Sequence, residues 1–138
     1  MKKLTKFAML YISNSNIKHA GRGVFAGEEI KTGNVIEACP VIELPNEAEK
    51  LKNSKLYNYY FLWSKNRKSA AIALGYGSLY NHSYEPNATY VKDKINKQVI
   101  FKAIKDIKQN EEITVNYNYG NPDDKSPLWI KSIKVPKN

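Results

Sequence analysis

The sequence predicts a mainly β domain with one or two short helices. Apolar, β-branched and aromatic residues fall in many short runs, and glycine, asparagine, proline and charged residues separate these runs. A helix-start pattern stands out in one place, after Pro45. The chain has 138 residues, of which 42% are hydrophobic, so it is long enough to bury one core as a single domain.

Three strands are predicted in the first third of the chain. Residues 6–12 and 35–41 are apolar and rich in β-forming residues, and residues 23–26 form a shorter run of the same kind. Asn14-Ser15-Asn16 predicts a turn after the first strand. Residues 27–33 begin and end in glycine, which can adopt the positive φ of tight connections.

The middle of the chain is predicted to contain a short helix and an aromatic segment. Asn46 precedes an acid at Glu49, which is the pattern of a helix cap, and predicts a helix from there to about Lys55. Residues 57–63 are dense in aromatic side chains and predict either a buried strand or an irregular segment. A strand of small residues at 69–74 and a turn at 75–78 follow.

A hairpin dominates the prediction for the last third of the chain. Residues 88–93 and 98–103 alternate between apolar and polar side chains and flank a four-residue turn. One more short strand is predicted at residues 112–115. Residues 128–135 form an apolar tail element whose type the pattern does not determine.

The cysteine and histidine content limits the kinds of site that this chain can build. Cys39 is the single cysteine, so no intrachain disulfide can form and the expected location is intracellular, cytoplasmic by default, with nuclear action and secretion as an effector left open. With only His19 and His82 beside it, a closed zinc site of four nitrogen and sulfur ligands is out of reach. We therefore predict no metal.

The net charge of +9 makes a small nucleic-acid-binding protein one class to consider. The lysines are scattered and interleaved with acids, as in Lys92-Asp93-Lys94, which favours solvated strand and turn faces over a binding stripe. No apolar run could span a bilayer, and the first residues lack the apolar segment of a secretory signal. We expect neither nucleic acid nor a membrane as a direct partner.

Three short motifs carry the functional signal. They are Gly21-Arg22-Gly23-Val24-Phe25, Asn81-His82-Ser83 followed by Pro86-Asn87, and Glu111-Glu112-Ile113-Thr114-Val115-Asn116-Tyr117. Each is weak evidence alone, but their order and spacing across about a hundred residues are specific. Together they resemble the signature motifs of SET-domain protein lysine methyltransferases, over roughly residues 6–119.

The resemblance implies a SET-domain β-clip architecture of several short sheets with a C-terminal pseudo-knot. It implies one SET domain over residues 1–138, with a core at about 6–119 and a tail at 120–138 that closes the cofactor site. The implied activity is that of an S-adenosylmethionine-dependent protein-lysine N-methyltransferase. The flanking zinc-binding cysteine clusters of many such enzymes are missing from this sequence.

By the same resemblance Tyr117 is the catalytic residue. The attacking lysine must be a neutral amine, although free lysine has a pKa of about 10.4. A sulfonium neighbour and a dry aromatic channel disfavour the ammonium form. A phenol oxygen can orient the amine and accept weak CH···O contacts from the methyl group. For a tyrosine taken alone, a half-buried structural residue at a strand end is the alternative.

The resemblance also assigns a cofactor site and a lysine channel. The implied cofactor-binding residues are Arg22, Gly23, Asn81, His82, Tyr117 and Trp129. The implied channel residues are Tyr84, Tyr90 and Tyr119. Trp129 is expected to stack on adenine, with a plain hydrophobic anchor of the tail as the alternative. Core packing is the alternative for Tyr90 and Tyr119, and Asn87 is expected to pin the crossing of the chain by hydrogen bonds.

Two positions depart from the family pattern, and two further functional classes stay open. Asn116 stands where Asp is commoner, and Asn110 replaces a turn glycine, which Asn can do because it tolerates left-handed backbone. A non-catalytic β-clip module is the alternative to an enzyme, and the nucleic-acid-binding protein is the third class. For an enzyme, the partner is a lysine-containing protein; a histone, a histone-like protein and a ribosomal protein all remain open.

Overall fold

Nine strands form the framework of residues 7–128, the part of the chain that the computed structural model describes. In chain order they are β1 Leu10–Asn14, β2 Arg22–Ala26, β3 Val35–Leu44, β4 Tyr60–Leu62, β5 Ala70–Ala73, β6 Asn81–His82, β7 Ala88–Asp93, β8 Gln98–Ala103 and β9 Glu112–Val115. The helical content of this part is two 3₁₀ helices, Ala48–Asn53 and Lys55–Asn58. The mainly β prediction is confirmed.

The first sheet brings the three motifs together. Its strand order is β1-β2-β9-β6. The last strand, β9, lies between the other two motif strands: it runs antiparallel to β2, with Val24 opposite Ile113, and parallel to β6, with Asn81 opposite Thr114. Segments far apart in sequence therefore become neighbours at one end of this sheet.

The second sheet supports the first and has the order β4-β5-β3-β8-β7. Its long strand β3 pairs with β8 up to Pro40 and with β5 from Val41 onward. Pro40, which has no N–H to donate, falls where the partner changes, so no hydrogen bond of the sheet is lost. The β7–β8 hairpin has the predicted bounds.

The predicted helix between residues 46 and 55 is replaced by the two 3₁₀ helices. Ser54 separates them with extended backbone, and the N-terminal cap of the first, Glu47, makes no side-chain capping hydrogen bond. Asn46, the predicted cap, instead has a left-handed φ of 57°. Without a cap or a continuous apolar stripe, this segment stays in short helical turns.

The core lies between the two sheets. Its fully buried members come from both sheets and their connections, and they include Val24, Ile36, Val99, Phe101, Ile107 and Ile113. The side-chain amide of Asn87 is hydrogen-bonded to the backbone of β9. It donates to Glu112 O at 2.9 Å and accepts from Thr114 N at 2.9 Å. The predicted structural role of Asn87 is confirmed. No helix within residues 7–128 is long and apolar enough to cross a membrane.

Candidate active site

Tyr117 lies two residues after the end of β9 and is held by residues 80–82 at both its backbone and its hydroxyl. The backbone N–H of Tyr117 donates to Nδ1 of His82 at 3.0 Å, and its hydroxyl donates to the carbonyl oxygen of Tyr80 at 2.7 Å. Two hydrogen bonds to one short segment fix the position of the ring. The ring also lies against the imidazole of His82, with centroids 5.3 Å apart.

The protonation state of Tyr117 follows from its surroundings. Burial, and to a smaller extent neighbouring tyrosines, raise the pKa of Tyr117 well above the ordinary value for a phenol. The side chain therefore stays a neutral phenol at physiological pH. Its proton is directed at Tyr80 O, and the hydroxyl oxygen can accept contacts from other groups.

A narrow channel lined by tyrosines leads to the Tyr117 ring. Its volume is about 50 Å³. Six of the ten tyrosines line it, and they are Tyr59, Tyr60, Tyr80, Tyr90, Tyr117 and Tyr119. Burial raises the pKa of Tyr60 to about 12 and that of Tyr90 further, so these hydroxyls also remain neutral. The channel is aromatic, narrow and uncharged except for Lys92 at its rim.

The structure brings some of the predicted channel residues together and adds others. Tyr90 and Tyr119 line the channel, whereas Tyr84 lies on the imidazole of His82, with centroids 4.4 Å apart, and its hydroxyl donates to Ser126 O at 3.0 Å. Sequence reasoning missed the contributions of Tyr59, Tyr60 and Tyr80. The density of aromatic residues at 57–63 was the signal that could have indicated the first two.

Asn81 combines a fixed orientation with an unused acceptor. Its Nδ2 donates to Arg22 O at 2.9 Å and to a carboxylate oxygen of Glu112 at 3.0 Å, which determines which way the amide points. Its Oδ1 is buried and has no hydrogen-bond partner among the described residues. A buried acceptor of this kind is costly unless a donor reaches it. The ammonium group of an amino-acid ligand is such a donor.

His82 presents the complementary case of an unused donor. Because Nδ1 accepts the hydrogen bond from Tyr117 N, the neutral ring carries its proton on Nε2. That Nε2 is buried without a partner among the described residues. Burial lowers the pKa of His82 to about 4, so the ring is neutral at physiological pH. Asn81 and His82 thus offer one acceptor and one donor side by side.

Glu112 holds the three motifs together, and sequence reasoning did not single it out. Its carboxylate accepts from the Ser15 hydroxyl at 2.8 and 2.9 Å, from Asn16 N at 2.8 Å and from Asn81 Nδ2 at 3.0 Å, and the residue is 7% exposed. A Cβ on Gly23 would lie 2.3 Å from this carboxylate. Gly23 is therefore required because the Glu112 side chain occupies the space beside it.

A hollow of about 300 Å³ adjoins the channel. It is lined by His19, Ala20, Gly21, Arg22, Lys55, Asn58, Tyr59 and Leu79. The channel and this hollow share Asn58 and Tyr59. Its two cations, Arg22 and Lys55, suit the carboxylate of an amino-acid ligand. Asn81, which donates to Arg22 O at the border of the hollow, offers an unused acceptor nearby. The residues present therefore fit S-adenosylmethionine.

Asparagine side chains next to Tyr117 form hydrogen bonds with the segment that follows it. Asn116 is fully buried and its amide donates to Asp124 O at 2.7 Å, a bond that the commoner aspartate could not make because a carboxylate has no N–H. Asn118 donates to Ser126 O at 2.8 Å. Asn110 has a φ of 70°, which confirms the expected left-handed turn. Trp129 and most of the predicted tail element lie outside the described residues.

The arrangement of sheets, motifs and tyrosine channel is that of a SET domain. The SET domain family matches residues 21–118, which is most of the chain, and this protein belongs to that family. A curated relative from Schizosaccharomyces pombe, a histone-lysine N-methyltransferase specific for H3 lysine 37, is 35% identical over 99 residues. The match covers 70% of this chain and 66% of the relative.

Solved structures agree with this assignment. A Plasmodium falciparum protein described as a candidate histone methyltransferase is 32% identical, with a TM-score of 0.62, and the match covers 83% of this chain and 96% of that one. A chain of ctPRC2 in an autoinhibited conformation bound to S-adenosylmethionine has a TM-score of 0.70 at 19% identity, covering 85% of this chain and 16% of that one. The second similarity supports the fold alone.

Within residues 7–128, no three side chains of histidine, cysteine, aspartate or glutamate come close enough together to hold a metal ion. The polar groups of the site are mainly amides, phenols and one imidazole, and the Glu112 carboxylate is already hydrogen-bonded to Ser15, Asn16 and Asn81. Such groups can position reactants and exclude water, and none of them is a strong base at neutral pH.

Proposed function

We propose that this protein is an S-adenosylmethionine-dependent protein-lysine N-methyltransferase. The observation that carries the proposal is the tyrosine channel, whose lining includes Tyr117 with its neutral hydroxyl held on Tyr80 O. A lysine side chain has a long apolar stem and one terminal amine. The narrow aromatic walls suit the stem, and the end of the channel suits the amine.

The proposed cofactor-binding residues are Arg22, Gly23, Asn81, His82 and Tyr117, with Trp129 as a further candidate. Arg22 borders the hollow, and Gly23 leaves room for the carboxylate that orients Asn81. Asn81 Oδ1 would accept from the amino group of the cofactor, and the His82 Nε2–H would donate to an acceptor on it. When bound, S-adenosylmethionine supplies a methyl group that its sulfonium makes electrophilic.

The protein's contribution to the reaction is positioning and desolvation. Removal of the lysine amine from water into an aromatic channel lowers its pKa and raises the fraction of neutral nucleophile. The Tyr117 oxygen orients this amine, and the fixed phenol keeps its position because Tyr80 O holds its proton. A phenol with a raised pKa cannot serve as the base, so the amine loses its proton to solvent.

The proposed substrate is a lysine on another protein. The S. pombe relative is a histone-lysine methyltransferase and the P. falciparum protein is described as a candidate one, and their similarity supports a histone as one candidate substrate. A cell lysate incubated with the protein and isotopically labelled cofactor, followed by mass spectrometry, would identify the methylated lysine. Calorimetry in the presence of a chelator would measure cofactor binding separately.

Replacement of Tyr117 by phenylalanine tests the catalytic assignment. We expect Tyr117→Phe to lower kcat at least about a hundredfold, because the oxygen that aligns the reactants is lost. Cofactor affinity should change much less. Tyr11→Phe is the matched control, since the Tyr11 hydroxyl donates to Asn110 far from the channel, and it should keep its activity. A folded Tyr117→Phe variant with wild-type turnover would exclude this role.

A further inference from the structure

A basic hollow adjoins the tyrosine channel. It has a volume of about 520 Å³, within the usual range of ligand pockets, and is lined by Leu62, Ser64, Lys65, Arg67, Tyr90, Val91, Lys92, Lys94 and Tyr119. Four of these residues, Leu62, Tyr90, Lys92 and Tyr119, also line the channel. A chain entering the channel from this side would therefore contact the hollow.

Every charged side chain that lines this hollow is a cation. Lys65 and Arg67 come from the connection between β4 and β5, and Lys92 and Lys94 come from the end of β7, so the positive charge is supplied from two separate segments. Lys92 is fixed at the rim of the channel. Its amine donates to Leu62 O at 2.7 Å and lies 5.3 Å from the centroid of the Tyr119 ring.

No carboxylate in the described part of the chain balances these cations. None of the four forms an ion pair with an acid among residues 7–128. The nearest acid in sequence, Asp93, accepts from the side chains of Asn96 and Gln98. Residues 1–6 and 129–138 contain no aspartate or glutamate. The pKa of Lys92 is lowered by burial and then by the charge of Lys94, as expected where like charges lie uncompensated.

We infer that the substrate segment next to the target lysine is acidic. The inference rests on the proposed methyltransferase function and names the class of its substrate. Aspartate or glutamate residues beside the lysine would enter the basic hollow while the lysine enters the channel, and they would relieve the repulsion among the four cations. A segment rich in lysine and arginine would add like charge to the same space and bind more weakly.

A protein segment fits this hollow better than a nucleic acid does. The hollow shares a wall with the narrow tyrosine channel and includes the apolar side chains of Leu62 and Val91. Binding of nucleic acid is therefore an alternative outcome for the experiment to detect.

The experiment uses synthetic peptides that differ only in the residues beside one central lysine: aspartate and glutamate, serine and glutamine, or lysine and arginine. Methyl transfer to each peptide is measured with labelled cofactor, and binding of each is measured independently by fluorescence anisotropy. We expect the acidic peptide to have a kcat/KM at least about tenfold above that of the basic peptide. The difference should shrink as salt is raised, since screening weakens exposed charge interactions.

Charge-reversal variants then test whether the preference for the acidic peptide arises in this hollow. Lys65→Glu with Arg67→Glu should lower the acidic-to-basic ratio of kcat/KM about tenfold or more, because both residues face the hollow. Lys105→Glu with Lys108→Glu makes the same change in net charge at two exposed positions outside the hollow, and it should leave the ratio unchanged. Calorimetry with the cofactor confirms that each variant is folded and binds it.

The outcomes separate this inference from the proposed function. Tighter binding of the acidic peptide without methyl transfer to any peptide would support the acidic docking hollow and refute the enzyme. Methyl transfer with equal or better use of the basic peptide would support the enzyme and overturn the acidic substrate. If an oligonucleotide binds more strongly than the acidic peptide at the same salt concentration, the inference of an acidic substrate segment is wrong and the hollow is a nucleic-acid site.

Discussion

A single methyl group on Gly23 is expected to disturb both the stability of the protein and its cofactor site. The Gly23→Ala substitution places a Cβ 2.3 Å from Glu112 Oε2, 2.9 Å from Glu112 Cδ and 3.0 Å from Asn81 Nδ2. The backbone at Gly23 does not have a left-handed φ, so alanine meets no conformational barrier there. The effect of the substitution is therefore steric.

The magnitude follows from the hydrogen bonds of Glu112. An ordinary carbon–oxygen contact is at least about 3.3 Å, so the carboxylate must move by about 1 Å. It is held at 2.8 Å by Ser15 and Asn16 and at 3.0 Å by Asn81, and a movement of that size breaks at least one of these bonds. Overpacking costs about 1–3 kcal/mol and a lost buried hydrogen bond about 1–3 kcal/mol. We expect a total loss of about 3 kcal/mol.

Urea denaturation of Gly23→Ala and Gly33→Ala measures this difference. Gly33 has a φ of 89°, and a Cβ added there would meet no atom within 4 Å, so Gly33→Ala carries only the left-handed penalty of about 1–2 kcal/mol. Cofactor affinity should also fall in Gly23→Ala, because Asn81 moves with Glu112. Glu112→Ala removes the carboxylate that the added methyl group would meet. The effects of Gly23→Ala and Glu112→Ala on stability should therefore be non-additive by at least about 1 kcal/mol in the double variant. A loss below about 1 kcal/mol in Gly23→Ala would refute the steric argument.

Three further predictions test other parts of the site. His82 has a pKa of about 4 in the folded protein and about 6.5 in the unfolded chain. Its contribution to the free energy of unfolding is therefore fully present above pH 6.5, and about 3 kcal/mol of stability is lost as the pH falls toward 4. Urea titrations of His82→Gln should show a flatter pH dependence of stability than those of His19→Asn, a control at an exposed position. Tyr90→Phe should shift products from mainly monomethyl toward di- and trimethyl lysine, because the hydroxyl that restricts the channel is removed; an unchanged mass ladder would contradict this. Trp129→Ala should weaken cofactor binding by about 1–3 kcal/mol if the ring stacks on adenine, whereas unchanged affinity with lower thermal stability would indicate a tail anchor.

The elements that could be predicted are those whose own sequence determines their structure. The β7–β8 hairpin and β9 were predicted with their observed bounds, because alternation and turn residues mark both ends. The first strand was predicted at residues 6–12 and lies at Leu10–Asn14, because its position is set by pairing with β2 and not by its apolar residues. Strand β6 was missed, since two polar residues buried between neighbours leave no periodic signal.

The residues of the candidate site also divide into those that the sequence predicts and those whose role depends on the fold. The motif residues around Tyr117 could be predicted because their order and spacing are themselves a pattern. The distinction between Glu111 and Glu112 could not, since only the fold brings Ser15, Asn16 and Asn81 to one of two adjacent glutamates. The basic hollow was likewise hidden: Lys65 and Lys92 are far apart in sequence, and their charges appear scattered until the chain is folded.

The position of β9 between β2 and β6 has a consequence for synthesis of the protein. A nascent chain that ends before residue 112 has made the first two motif strands but leaves a gap between them, and their facing edges carry unpaired N–H and C=O groups. Pairing across such sequence distances is slow, because long loops must close first. The two motif strands therefore gain their shared partner only after the chain has been synthesised past Val115, and products that end earlier expose strand edges that favour aggregation.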